Sequence, residues 1–170
     1  MKLFVYGTLL SPFPTASLIP PEVYRQPATT MGKMYHYVPG CFPAISIPDA
    51  MIQASGTMDH ELDEAIERGL DAAGCESFGS VGVSTNDAQV IGELVEFYRP
   101  GEIMSRIDRY EGFQEDNPFY RRSLIPVKTG RRMVWAWVYH FDEHFPFEEN
   151  PDLYLRVADG HWVEFLQRLL

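Results

Sequence analysis

The residues best placed to do chemistry are a glutamate closing a helical pattern and a glycine-containing turn near the start of the chain. After Pro100, Ile103, Met104, Ile107 and Tyr110 recur at helical spacing, and Glu111 is followed by Gly112, where a left-handed cap residue belongs. A carboxylate at a helix C-terminus meets the negative end of the macrodipole, which disfavours its ionisation. A partly apolar pocket would add to this and give the raised proton affinity that a general acid/base needs near neutrality. The plain alternative is a carboxylate paired with Arg109, Arg121 or Arg122. The turn Tyr6-Gly7-Thr8-Leu9 follows an apolar, β-rich run. Successive backbone N–H groups in such a turn can form a nest for a carboxylate, although Gly7 could equally serve only to bend the chain.

Other chemistries find less support. Gly74 and Gly79 have phosphate-loop spacing, but Ser80-Val81 stands where Lys-Ser/Thr is required. His140 and His144 are four apart, on a strand end followed by Pro146 rather than on a helix, and with His161 they read as surface or capping residues instead of metal ligands. There is no G-x-S-x-G elbow, and neither Cys41 nor Cys75 has a nucleophile's context.

The elements that must position these residues follow from the pattern. Lys2 to Tyr6 predicts a buried first strand. The prolines at 12, 14, 20, 21 and 27 argue against long regular elements in residues 11–30. Gly32 to Val38 and Phe42 to Ile47 predict a strand pair around Pro39-Gly40, and Val90 to Tyr98 another strand, with Gly92 a bulge or close approach. Leu62, Ala65, Ile66, Leu70 and Ala73 mark the apolar face of a helix stopped by Gly74, with Glu64, Glu67, Arg68 and Asp71 toward water. Residues 74–89 are Gly/Ser-rich and read as a loop. Arg121 to Val127 and Arg132 to Phe141 predict an antiparallel pair around Thr129-Gly130, and Asp159 caps a last helix over 160–170. Without regular βαβ alternation, the class is α+β around a curved or closed sheet.

Composition sets the frame. At 170 residues, 45% hydrophobic and 14% aromatic, the chain predicts one domain with a real core over 1–170. A net charge of −10, with pI near 4.9, disfavours nucleic acid and anionic membrane surfaces as partners. Two cysteines outside any C-x-x-C pair suggest reduced thiols. The first apolar run is too short for a signal peptide and no window suits a membrane span, so the expected location is cytoplasmic.

Taken together, ordered segments of the chain resemble the γ-glutamylcyclotransferase-like superfamily, in its γ-glutamylamine cyclotransferase-like branch. They are Phe4-Val5-Tyr6-Gly7-Thr8-Leu9, Gly32-Lys33-Met34-Tyr35, Phe42-Pro43-Ala44-Ile45, Gly92-Glu93-Leu94, Ile107-Asp108-Arg109-Tyr110-Glu111-Gly112, Phe119-Tyr120-Arg121-Arg122, Ala136-Trp137-Val138-Tyr139 and Gly160-His161-Trp162. The resemblance implies a small mixed β-barrel flanked by helices. It implies Glu111 as general acid/base, and Tyr6, Gly7, Thr8 and Leu9 as the seat of the α-carboxylate and α-amino end of a small γ-glutamyl substrate. Tyr120 and Tyr139 are further candidates for lining the pocket. The implied reaction closes the γ-glutamyl group to 5-oxoproline with neither metal nor cofactor, in a monomer or homodimer. The chain departs from the family at about 49–89, where a helix plus loop is inserted, expected on the barrel exterior. The alternative is a non-catalytic small-ligand or protein-binding module on the same fold.

Overall fold

A computed structural model of the chain describes residues 1–21, 23–75, 89–113 and 120–169. In chain order the strands are β1 (Lys2–Val5), β2 (Tyr24–Met31), β3 (Lys33–Tyr37), β4 (Phe42–Ser46), β5 (Ala54–Ser55), β6 (Gln89–Glu96), β7 (Arg121–Thr129), β8 (Arg132–His140) and β9 (Tyr154–Val157). Helix α1 (His60–Ala73) precedes β6, α2 (Pro100–Glu111) follows it, and α3 (Trp162–Leu169) comes last. The main sheet runs β2-β6-β1-β8-β7-β5, and a β2–β7 pairing at Thr29 and Lys128 closes its first five strands into a barrel. The barrel is mixed, because β1 runs parallel to β8 at Leu3 and Trp137 and antiparallel to β6. A second sheet, β4-β3-β9, packs beside it. The class is α+β.

β1 is central, and its two faces serve different cores. Leu3 and Val5 join Met104 and Ile107 of α2 and Trp137 of β8, while Phe4 and Tyr6 join Leu94, Ile125, Val127, Ala136 and Val138. The period-2 alternation of β8 does the same, sending Trp135, Trp137 and Tyr139 one way and Ala136 and Val138 the other. Gly92 is a close-approach point: a β-carbon there would meet the Val5 carbonyl oxygen at 2.1 Å.

Several expectations need correction. Residues 11–30 contain all but the last residue of the eight-residue strand β2, with Pro27 opposite Glu93. The proline is tolerated because β2 meets β7 in register at Thr29 alone, so one side of the strand at Pro27 is an edge with little need of a donor. A further four-residue strand, β9, stands between β8 and α3. α1 has the expected span and stop, but a different docking face: His60, Asp63 and Glu67 are buried, whereas Leu62 is 48% exposed. Glu67 is buried because it accepts from both the backbone N–H and the ammonium of Lys2. α3 starts at Trp162, with Asp159 accepting from the His161 N–H and His161 Nδ1 from the Glu164 N–H. His140 is buried rather than on the surface, its ring nitrogens bonded to the Phe141 carbonyl and the Ser123 hydroxyl. No disulfide joins Cys41 and Cys75. Among the described residues, no helix is long and apolar enough to cross a membrane. The glycine-rich stretch with Gly79, Ser80 and Val81, Phe119 of the quoted motif and Leu170 of the last helix lie outside the described residues.

Candidate active site

α2 begins with Pro100, whose fixed φ suits the first helical position and whose missing N–H would be unsatisfied there anyway. It ends at Gly112, in the left-handed region at φ 69° and ψ 26°. The Phe113 N–H then returns to the Asp108 carbonyl at 2.8 Å, so the chain turns sharply just after Glu111. At the other wall, the Leu10 N–H bonds the Gly7 carbonyl at 2.9 Å and closes the turn that follows β1. The Thr15 hydroxyl donates to the Thr8 carbonyl and braces that turn from outside. Among the described residues, the N–H groups of Thr8 and Leu9 have no acceptor.

The two features open on one cavity of about 230 Å³. Its lining includes Tyr6, Gly7, Thr8, Leu9, Glu111, Tyr120 and Tyr139, so all the residues singled out in the sequence meet at one place. Phe4, Val5, Phe42, Pro43 and Tyr110 complete the wall, most of it apolar. Gly7 lacks a positive φ; it is glycine because Pro43 lies against it.

The Glu111 carboxyl is raised from the usual carboxylate range to about 8, first by burial and then by the charge of Asp108. Among the described residues no donor bonds its oxygens, so none of Arg109, Arg121 and Arg122 is its partner. Arg121 pairs with Asp142, and Arg122 with Asp63 and Asp108. Burial also raises the Tyr6 phenol well above its ordinary value, so it stays neutral, and it donates to the Tyr139 carbonyl at 2.8 Å. Tyr120 is likewise raised by burial, with Glu111 adding to the effect. The Tyr139 hydroxyl donates to Asp108, and its carbonyl accepts from Tyr6.

Behind Glu111 lies a buried charged network that sequence reading missed. Arg122 is fully buried, donates to Asp108, Asp63 and the Thr57 carbonyl, and stacks over Phe113 at 4.6 Å. His60 Nε2 lies 2.7 Å from Asp108. The available signal was Asp108 itself, which falls beside Ile107 on the buried stripe of α2 and three residues before Glu111. Tyr110, placed by periodicity on the apolar face, is instead 44% exposed and shares a 2.8 Å hydrogen bond with the Thr8 hydroxyl.

A family model described as gamma-glutamyl cyclotransferase, AIG2-like, matches residues 76–164. Comparison with curated protein sequences gives no match. Among solved structures, YkqA from Bacillus subtilis is similar with a TM-score of 0.56 and 17% identity, over 99% of this chain and 42% of that one. This chain therefore spans about two fifths of that protein. An uncharacterized protein from Pyrococcus horikoshii is similar with a TM-score of 0.53 and 14% identity, over 99% of this chain and 95% of that one. An aig2-like protein from Mus musculus has a TM-score of 0.49 and 16% identity, over 85% of this chain and 79% of that one. At these identities the first two show a common fold.

Proposed function

Because the chain belongs to the gamma-glutamyl cyclotransferase, AIG2-like family, we propose that it cyclises the γ-glutamyl group of a small γ-glutamyl amine or amino acid to 5-oxoproline. The observation that carries the reading is that Glu111, with its raised proton affinity, lines the same cavity as Thr8 and Leu9, whose N–H groups have no acceptor among the described residues. Those N–H groups would take the substrate α-carboxylate, offsetting locally the repulsion of a chain with net charge −10. The α-nitrogen then attacks the γ-amide carbonyl carbon, a C–N bond closes the five-membered ring, and the bond to the leaving nitrogen breaks. Glu111 takes one proton from the α-ammonium to free the nucleophile and gives it to the departing nitrogen. The ring nitrogen sheds its second proton as it becomes an amide, that proton ends on the released amine as its ammonium, and the protein ends as it began.

The nucleophile belongs to the substrate, so the chain need only fold the glutamyl arm into a reactive shape. Such positioning can be worth up to about 7–11 kcal/mol. The apolar wall of Phe4, Val5, Leu9 and Phe42 limits water around the reacting atoms. A proton carrier near 8 can both accept and donate close to neutrality, which suits a step that needs each in turn. The test is direct: incubate the protein with a panel of γ-glutamyl amines and amino acids and assay 5-oxoproline. Release from at least one compound, lost by about 10²–10⁴-fold in Glu111→Gln, is expected. Ligand binding without any release would turn the reading toward a binding module.

A further inference from the structure

His60 is the first residue of α1, buried, with Nε2 2.7 Å from Asp108 Oδ2. Asp108 Oδ1 receives the Arg122 Nη1 and the Tyr139 hydroxyl. The two oxygens of one carboxylate are thus divided between the barrel strands β7 and β8 on one side and α1 on the other. Three residues earlier than Glu111 on α2, Asp108 stands one turn away on the same side of the helix. Asp63, also on α1, holds the other end of Arg122 at 2.6 Å and accepts from the Thr57 N–H and hydroxyl.

We infer that His60 is a positioning residue for Glu111: by bonding Oδ2 it holds the Asp108 carboxylate one helical turn from the Glu111 carboxylate. The inference rests on the reading of Glu111 as proton carrier. Three donors fix that buried carboxylate in place, and a like charge one turn from Glu111 acts strongly where water is scarce. Among the described residues, the charged and titratable groups facing Asp108 are His60 and Asp63 from α1, Arg122 from β7, Tyr139 from β8 and Glu111 on its own helix. Among the described residues, those facing Glu111 are Asp108, Tyr6 and Tyr120, with Tyr110 and Tyr139 lining the same cavity. Among the described residues, Asp63 and Asp108 share the Arg122 guanidinium, and His60 is the further donor on Asp108. The composition of α1 agrees, since it buries His60, Asp63 and Glu67 while leaving Leu62 exposed. A helix docked for packing alone would do the reverse.

Without the His60 donor, the charge on Asp108 is less compensated and Glu111 must hold its proton to higher pH. The test is a carbon-13 NMR titration of the Glu111 carboxyl in the wild type, His60→Leu and His60→Gln, with Glu111→Gln assigning the signal. The expected result is a midpoint raised by about 0.5–1 pH unit in His60→Leu, but near the wild-type value in His60→Gln, whose amide can donate in place of Nε2. The acid limb of kcat/KM should move with the midpoint. Should His60→Leu not fold, His60→Asn, too short to reach Asp108, gives the same reading. An unmoved midpoint in the variant lacking the donor, or equal shifts in both variants, would overturn the inference. The titration needs no turnover, so the two ideas can fail separately. A shifted midpoint without 5-oxoproline release supports the positioning and sinks the cyclisation, whereas turnover with an unmoved midpoint sinks the positioning alone.

Discussion

Gly7 and Pro43 meet so closely in the pocket wall that a β-carbon on Gly7 would lie 2.5 Å from Pro43 Cγ. The contact ties the turn after β1 to β4 of the second sheet, and it explains Gly7 by space rather than by backbone conformation. Gly7→Ala should therefore already displace Pro43, and Gly7→Val more so. Overpacking of this kind costs about 1–3 kcal/mol, which chemical denaturation would read. Substrate binding should weaken in step, because the displaced turn carries the Thr8 and Leu9 N–H groups. A folded Gly7→Val protein with unchanged KM would remove the turn from the site.

The raised Glu111 carboxyl has a signature in both activity and stability. A base must be unprotonated to accept the ammonium proton, so kcat/KM should rise with pH through about 8. The stability effect has the opposite slope. The folded state holds the Glu111 proton more tightly than the unfolded chain does, so stability is full below about 4.5 and is lost as pH rises through about 8. Glu111→Gln cannot ionise and escapes that loss. Its advantage over the wild type should grow across this window to the order of a few kcal/mol and then level off. Denaturation curves at several pH values that keep the two proteins parallel would contradict the burial of an ionisable Glu111.

Arg122 is the cation on which the network turns. Burial works against its charge, but Tyr139, Asp108 and Asp63 more than offset this and hold it protonated. Arg122→Met leaves two buried carboxylates without their partner and should cost about 3–5 kcal/mol. Arg122→Lys should recover little, since one ammonium cannot bridge Asp63, Asp108 and the Thr57 carbonyl as the guanidinium fork does. Adding Asp63→Asn to Arg122→Met should return part of the loss by removing one orphaned charge. A double variant no more stable than the single one would mean that Asp63 is not held by Arg122.

What was legible in the sequence was local. Glu111 and its helix could be read because periodicity, Pro100 and the Gly112 cap all lie within one short stretch, and the Tyr6 to Leu9 turn because a β-rich run ends in glycine. β2 was hidden by Pro27, which marks an edge that the sequence cannot distinguish from a loop. The docking of α1 was hidden for a deeper reason. Its buried residues Asp63 and Glu67 look like the wet side of an amphipathic helix, and their partners Arg122 and Lys2 are 59 and 65 residues away. Asp108 was passed over in the same way, since its donors come from α1, β7 and β8 rather than from its own neighbours.

The hydrogen bond between the Thr8 and Tyr110 hydroxyls, 2.8 Å long, joins the turn to α2 one residue before Glu111. It is exposed, so it should contribute modestly: a neutral pair of this kind is worth about 0.5–1.5 kcal/mol. Thr8→Ala and Tyr110→Phe each remove one partner while keeping the Thr8 N–H that would hold the substrate carboxylate. Each should raise KM several-fold, up to about tenfold per 1.4 kcal/mol, with kcat within about twofold because the Glu111 proton path is intact. The double variant should be no worse than the poorer single one, since the second substitution finds the bond already gone. Steady-state kinetics of the four proteins would decide the matter. Additive losses would show that the two hydroxyls act on the substrate separately, and a fall in kcat would show that the bond orients Glu111 rather than the turn.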